Sequence, residues 1–108
     1  MSQKLETAAA MMPERDLLAF VLDYARARGW LAQHIYDSRL AATRTDKGSP
    51  DVLLVRECDG RVVYIECKAE GKKPTSHQWR WIRALRRGGH EVYIWWPGSI
   101  PEIERILA

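Results

Sequence analysis

From Asp51 to Lys68 the chain reads DVLLVRECDGRVVYIECK, two runs rich in β-branched and aromatic residues on either side of Glu57-Cys58-Asp59-Gly60. That pattern predicts a β-hairpin with strands over 51–56 and 61–68. Side chains alternate along a strand, so Val62, Tyr64, Glu66 and Lys68 share one face and Val63, Ile65 and Cys67 the other. The turn decides what lies opposite. If Arg56 pairs with Arg61 across the four residues between them, Asp51 falls opposite Glu66. If Asp59-Gly60 forms a two-residue turn, Asp51 falls opposite Lys68. Both registers gather Asp51, Glu66 and Lys68 on one face. A three-residue loop breaks the cluster, because a one-residue slip flips every side chain.

Upstream, Leu17, Leu18, Val21, Leu22 and Ala25 form the stripe of an amphipathic helix over 13–28, with Pro13 in the first turn and Gly29 at the left-handed position that ends it. Trp30 to Tyr36 is a weaker strand signal. Asp37 to Ser49, carrying Arg39, Arg44, Asp46, Lys47 and Gly48, reads as a polar exposed loop. Downstream, Thr75-x-x-Gln78 has capping-box form and Gly88-Gly89 follows Arg87, which predicts a second helix over 75–87. Val92 to Trp96 reads as a further strand. A helix between two strands fits a right-handed crossover, which sets that strand parallel to the second arm of the hairpin. Pro101 to Ala108 suits a short terminal helix. The fold expected is α/β, a small mixed β-sheet flanked by helices.

A chain of 108 residues suits one domain spanning 1–108, with Met1 to Ala10 as a disordered tail or a helix extension. A hydrophobic share of 46% and a charged share of 29% argue against disorder and fibrous repeats. The apolar runs fall far below the ~20 residues of a membrane-spanning helix. The first ten residues lack the apolar core of a secretory signal, so a cytoplasmic location with no membrane partner is expected. Cys58 and Cys67 have no zinc-ligand spacing and are read as reduced. The formal charge is only +3, but Lys68, Lys72, Lys73, Arg80, Arg83, Arg86 and Arg87 face a single Glu70 over 68–87. A basic surface for a polyanion is expected there.

Two carboxylates and an ammonium on one patch of sheet suit phosphodiester hydrolysis. That reaction needs a hard cation held on oxygen ligands and an activated water. Asp51 and Glu66 can hold Mg²⁺ or Mn²⁺, and the main-chain carbonyl of Cys67 can add a third oxygen. Lys68 can orient the attacking water, deprotonate it, or stabilise developing negative charge; the sequence does not separate these roles.

Gly48-x-Pro50-Asp51, Glu66-Cys67-Lys68, and Ser76-x-Gln78-x-x-Trp81 followed by Leu85 and Gly88-Gly89-His90 resemble the VRR-NUC branch of the PD-(D/E)XK nuclease superfamily, over roughly 13–96. The resemblance implies a restriction-endonuclease-like fold and metal-dependent cleavage of DNA, duplex or branched. It also implies a catalytic Glu on the first helix, which maps to Glu14, and a place for Gln78 in the site. Small stand-alone members resemble Holliday junction resolvases and act as homodimers. Trp95 and Trp96 are adjacent in a strand and so face opposite sides, and one or the other is the side chain expected to supply such an interface.

Plainer roles stand beside these. Asp51 after Pro50 can close a turn, and Glu66 and Lys68 can be a solvated charge pair. Glu14 can serve the helix dipole, and Gln78 can be the capping partner of Thr75. Trp79, Trp81, Ile82 and Leu85 suit core packing better than base stacking, with at least Ile82 and Leu85 in the core. His34, His77 and His90 show no metal-ligand spacing. Arg44, Lys47, Lys72, Lys73, Arg80 and Arg83 are the candidate nucleic-acid contacts. The function expected is a metal-dependent endonuclease. The alternative is a DNA-binding module whose nuclease activity is absent or auxiliary.

Overall fold

The hairpin organises everything else. In the computed structural model, which describes residues 11–35 and 45–108, β2 (Val52–Arg56) and β3 (Val62–Cys67) pair antiparallel with Val52 opposite Ile65 and Leu54 opposite Val63. The Arg56 N–H donates to the Arg61 carbonyl at 2.8 Å, so the turn is the four-residue one and Asp51 comes opposite Glu66. Local chemistry holds that turn. The Arg56 guanidinium reaches both oxygens of Asp59 at 3.0 and 2.6 Å, and Asp59 Oδ1 also accepts the Arg61 N–H.

β1 (Trp30–His34) runs antiparallel along β2, and β4 (Glu91–Trp95) runs parallel to β3, giving the sheet order β1-β2-β3-β4. The parallel pairing is the one expected for a strand reached through a helical crossover, here α2 (Ser76–Arg87). β4 starts and ends one residue earlier than the sequence suggested. Trp96 instead caps a 3₁₀ turn, Pro97–Ser99, that leads into α3 (Ile100–Ile106). The expected strand residue Tyr36 lies outside the described residues, as do Met1 to Ala10.

α1 (Glu14–Ala27) lays Leu17, Val21 and Ala25 on the sheet, all fully buried. Gly29, at φ 86°, reverses the chain into β1, a conformation that disfavours any residue with a Cβ. The main core joins this stripe to Trp30, Val52, Leu54, Val63, Ile65, Cys67 and Trp95, and α3 closes it with Ile103 and Leu107. Ile82 of α2 and Val92 are buried outside that core, on the opposite face of the sheet. Helices therefore cover both faces of a small mixed sheet, an α/β architecture of restriction-endonuclease-like type.

Of the two tryptophans expected at an interface, Trp95 is excluded. Trp95 is fully buried, stacked on Tyr93 at 5.4 Å, and its indole N–H donates to Glu102 at 2.8 Å. It has no surface to offer an interface. Trp96 is half-buried and its indole N–H is taken by the Lys72 carbonyl at 2.7 Å. The exposed large apolar side chains among the described residues are instead Met11, Leu31 and Val62. Leu31 lies opposite Val55, and Val55 opposite Val62, so the three form a row across the sheet face that α1 and α3 do not cover.

Candidate active site

The site sits where β2 begins and β3 ends. Asp51 enters β2 directly after the buried Pro50, and its Oδ2 accepts the Cys67 main-chain N–H at 2.8 Å. Glu66, on the same face, is only 1% exposed. Its Oε2 accepts Gln78 Nε2 at 3.1 Å and lies 3.6 Å from Lys68 Nζ. Its Oε1 is buried and has no hydrogen-bond donor. Burial of a carboxylate without full compensation favours the neutral acid. Here burial acts first, the charge of Asp51 second, with Glu14 adding and Lys68 opposing, and the Glu66 carboxyl is pushed up to about 8.

Gln78 makes the capping contact and also reaches Glu66. Thr75 and Gln78 form the full capping box, with Gln78 Oε1 accepting the Thr75 N–H at 2.8 Å. The opposite end of the same amide donates to Glu66. Capping fixes the rotamer, and the fixed rotamer delivers an N–H to the buried carboxylate. Gly48 brings the two elements together. A Cβ there would lie 2.5 Å from the His77 carbonyl carbon and 2.7 Å from the Gln78 nitrogen, so only glycine lets the 45–51 segment seat on the first turn of α2.

Glu14 is in the first turn of α1 and exposed, and its charge contributes to the upward shifts of Glu66 and of the buried Cys67 thiol. Even so, no three His, Cys, Asp or Glu side chains among the described residues converge as a ready-made metal cluster. The close set is Asp51, Glu66, Lys68 and Gln78. Of the candidate nucleic-acid contacts, Lys47, Lys72, Lys73, Arg80 and Arg83 are exposed, with the Arg83 guanidinium 5.5 Å from the Trp79 ring centre. Arg44 lies outside the described residues. His90 packs edge-on against Tyr64 at 6.0 Å, a packing role. Ile82 is in the interior as expected and Leu85 is half-buried. Trp81, grouped with them, is half-buried but lines a surface recess with His77 and Arg80. The helical spacing 77, 80, 81 was the available signal for that face; what it borders was not, because the facing loop is remote in sequence.

The VRR-NUC domain family matches residues 15–95. The chain belongs to the VRR-NUC family. A solved VRR-NUC domain superposes with a TM-score of 0.67 at 22% identity, covering 87% of this chain and 92% of that one, a likeness of fold. "Putative nuclease p44" of Acyrthosiphon pisum secondary endosymbiont phage 1 is 40% identical over 48 residues, which span 44% of this chain and 50% of that protein. The match thus covers about half the length of that curated relative. The Holliday junction resolvase Hjc of Archaeoglobus fulgidus superposes with a TM-score of 0.46 at 22% identity, covering 75% of this chain and 61% of that one.

Proposed function

We propose that this VRR-NUC domain is a Mg²⁺- or Mn²⁺-dependent endonuclease that hydrolyses DNA phosphodiester bonds, with branched, Holliday-type junctions among its substrates, and that it acts in the cytoplasm. The observation that carries this reading is the orphaned Glu66 Oε1, a buried carboxylate oxygen beside Asp51 with no donor. Leaving such an atom unmatched costs stability, and a cation between two carboxylates supplies what it lacks. Hard oxygen ligands suit these metals. Asp51, Glu66 and the Cys67 carbonyl are the groups that would hold the ion. When bound, it supplies Lewis-acid charge at the scissile phosphate and makes a water a stronger nucleophile.

The chain's own residues do the rest. Gln78 and Lys68 fix Glu66 through Oε2, which leaves Oε1 without a donor. The Cys67 N–H orients Asp51 in the same way. Lys68, 12% exposed, presents its ammonium beside the carboxylates, where it can stabilise charge growing on the phosphate or accept a proton from the attacking water once neutral. Water adds to phosphorus, one bridging P–O bond breaks, and the departing oxygen takes a proton.

Cleavage assays on labelled duplex, flap and four-way DNA, with Mg²⁺, with Mn²⁺ and with EDTA, test the reading. Asp51→Asn and Glu66→Gln are each expected to lower cleavage on the order of 10³-fold while DNA binding persists. Full activity in either variant or in EDTA overturns the metal assignment, and binding without cleavage by the parent marks a DNA-binding module instead.

A homodimer is part of the same proposal, because one site per chain and two strands to cut are matched most simply by a two-fold axis. The row of exposed Leu31 and Val62 with half-buried Val55 between them takes the place of the buried Trp95 as its apolar contact. Light scattering with and without DNA checks it. A mass near the monomer's 12.5 kDa in both conditions rules it out.

A further inference from the structure

A recess of about 400 Å³ opens between the Thr45–Lys47 turn and the face of α2 that carries His77, Arg80 and Trp81. We propose that it is a subsite for one unpaired nucleotide of the DNA strand being cut, an inference that rests on the nuclease reading above. Its volume is within the ~300–1,000 Å³ of sites that take small organic ligands.

The recess and the site share a wall. His77 and Gln78 are consecutive; His77 lines the recess while Gln78 donates to Glu66. Gly48 packs its main chain against both residues, so the segment that leads from the recess to Asp51 cannot drift from α2. The 45–51 segment therefore joins the recess to Asp51, a route a strand bound at the carboxylates can follow.

The lining suits a base and its backbone. Trp81 offers an indole, on which any base can stack. Lys47 and Arg80 are exposed cations at the rim, suited to the flanking phosphate. Thr45 and the Asp46 carboxylate supply hydrogen-bonding groups for the edge of a base, and the negative charge of Asp46 turns a phosphate towards the cationic side. Ala84 adds only a small side chain to the lining. A base inside a duplex cannot reach such a recess without leaving its stack, and that cost is least for a nucleotide already unpaired. The predicted preference is for DNA with an unpaired nucleotide next to the cut, as at a bulge, flap base or branch point.

The test uses full-length protein in EDTA and two duplexes that differ only in whether one 2-aminopurine nucleotide is paired or bulged. The parent is expected to bind the bulged duplex about tenfold more tightly and to quench its fluorescence by stacking on the indole. Trp81→Phe, which keeps an aromatic face, should retain the preference. Trp81→Leu, with apolar bulk but no ring, should bring the affinity ratio towards one. Equal affinity of the parent for both duplexes with unchanged emission overturns the subsite without any substitution, as does an undiminished preference in the leucine variant. Equal binding of both duplexes in EDTA, with equal cleavage of both once Mg²⁺ is added, overturns the subsite alone; failure to bind any DNA, or to cut any with Mg²⁺ present, overturns the nuclease reading with it.

Discussion

Strand β3 carries a glutamate pairing at each end, and the two are built to opposite specifications. At its start Arg61 grips Glu91 of β4 through two hydrogen bonds of 2.7 Å, and the Tyr93 hydroxyl adds a third at 2.9 Å. The guanidinium holds the Glu91 carboxyl below its ordinary range. At its end Glu66 has a lysine at 3.6 Å and an amide at 3.1 Å, both on one oxygen, and nothing on the other. Its carboxyl is pushed up to about 8. A fork of donors matched to a carboxylate is finished chemistry and serves the fold. A buried carboxylate short of donors is unfinished, and such sites gather where a ligand completes them.

If that contrast is right, the largest effect after loss of either carboxylate comes from the lysine at the unfinished end. Lys68→Ala is expected to lower turnover on the order of 10²-fold, through loss of proton transfer or charge stabilisation, while leaving the Asp51 and Glu66 ligands in place. Lys68→Arg should rescue poorly, because guanidinium keeps its proton and has a different shape. Single-turnover cleavage rates measure this. An alanine variant that cuts at the parental rate reduces Lys68 to a surface charge and removes the functional half of the contrast.

How much of this was legible in the sequence depends on how far each determinant reaches along the chain. The hairpin register was narrowed to two choices by alternation and turn length, and the Arg56, Asp59 and Arg61 contacts that select between them are local. The capping box at Thr75 and Gln78 was legible for the same reason. Gln78's second bond was not, because Glu66 is twelve residues away and the parallel crossover brings them together. Trp95 misled because its fate depends on Glu102 and on Ile103 and Leu107 of the last helix, a cover that strand alternation does not reveal. The motif glycine at 48 was visible; the helix backbone under it was not. Family membership and the mixed sheet agree with the sequence reading.

A second test separates the two glutamates by the sign of their effect on stability. Because the folded Glu66 carboxyl is raised, the folded protein holds its proton to higher pH than the unfolded chain does. Its stabilising contribution is full below the ordinary carboxylate range and is lost as pH rises through about 8. Burial sets that direction first, Asp51 and then Glu14 add to it, and Lys68 opposes it. Thermal unfolding of EDTA-treated protein should therefore show stability falling from about pH 4.5 to about pH 8. Glu66→Gln, similar in shape and unable to ionise, should flatten the slope and be more stable than the parent at the alkaline end, on the order of 2 kcal/mol. A parental profile without slope, or a variant with the same slope, means Glu66 is compensated after all.

The smallest effect belongs to the finished end, and its sign is reversed. Glu91 has its carboxyl held down, so its contribution is present above the ordinary carboxylate range and is lost as pH falls through the folded value. Removing that charge with Glu91→Gln should cost stability at neutral pH where the matching change at Glu66 does not. The pair is about one-third exposed, with side chains 30% and 36% accessible, so solvent screening limits the loss. A cost of about 0.5–1 kcal/mol is expected. Added salt should shrink it, since exposed charges are screened within about 10 Å at 0.1 M. Cleavage should be untouched, because Arg61 and Glu91 sit at the far end of β3 from Asp51 and Glu66. Urea unfolding at neutral and acid pH, run beside the cleavage assay, decides it. A Glu91 variant that loses activity while keeping its stability would show that the finished end takes part in the chemistry, and the division of β3 into a structural and a functional end would fall.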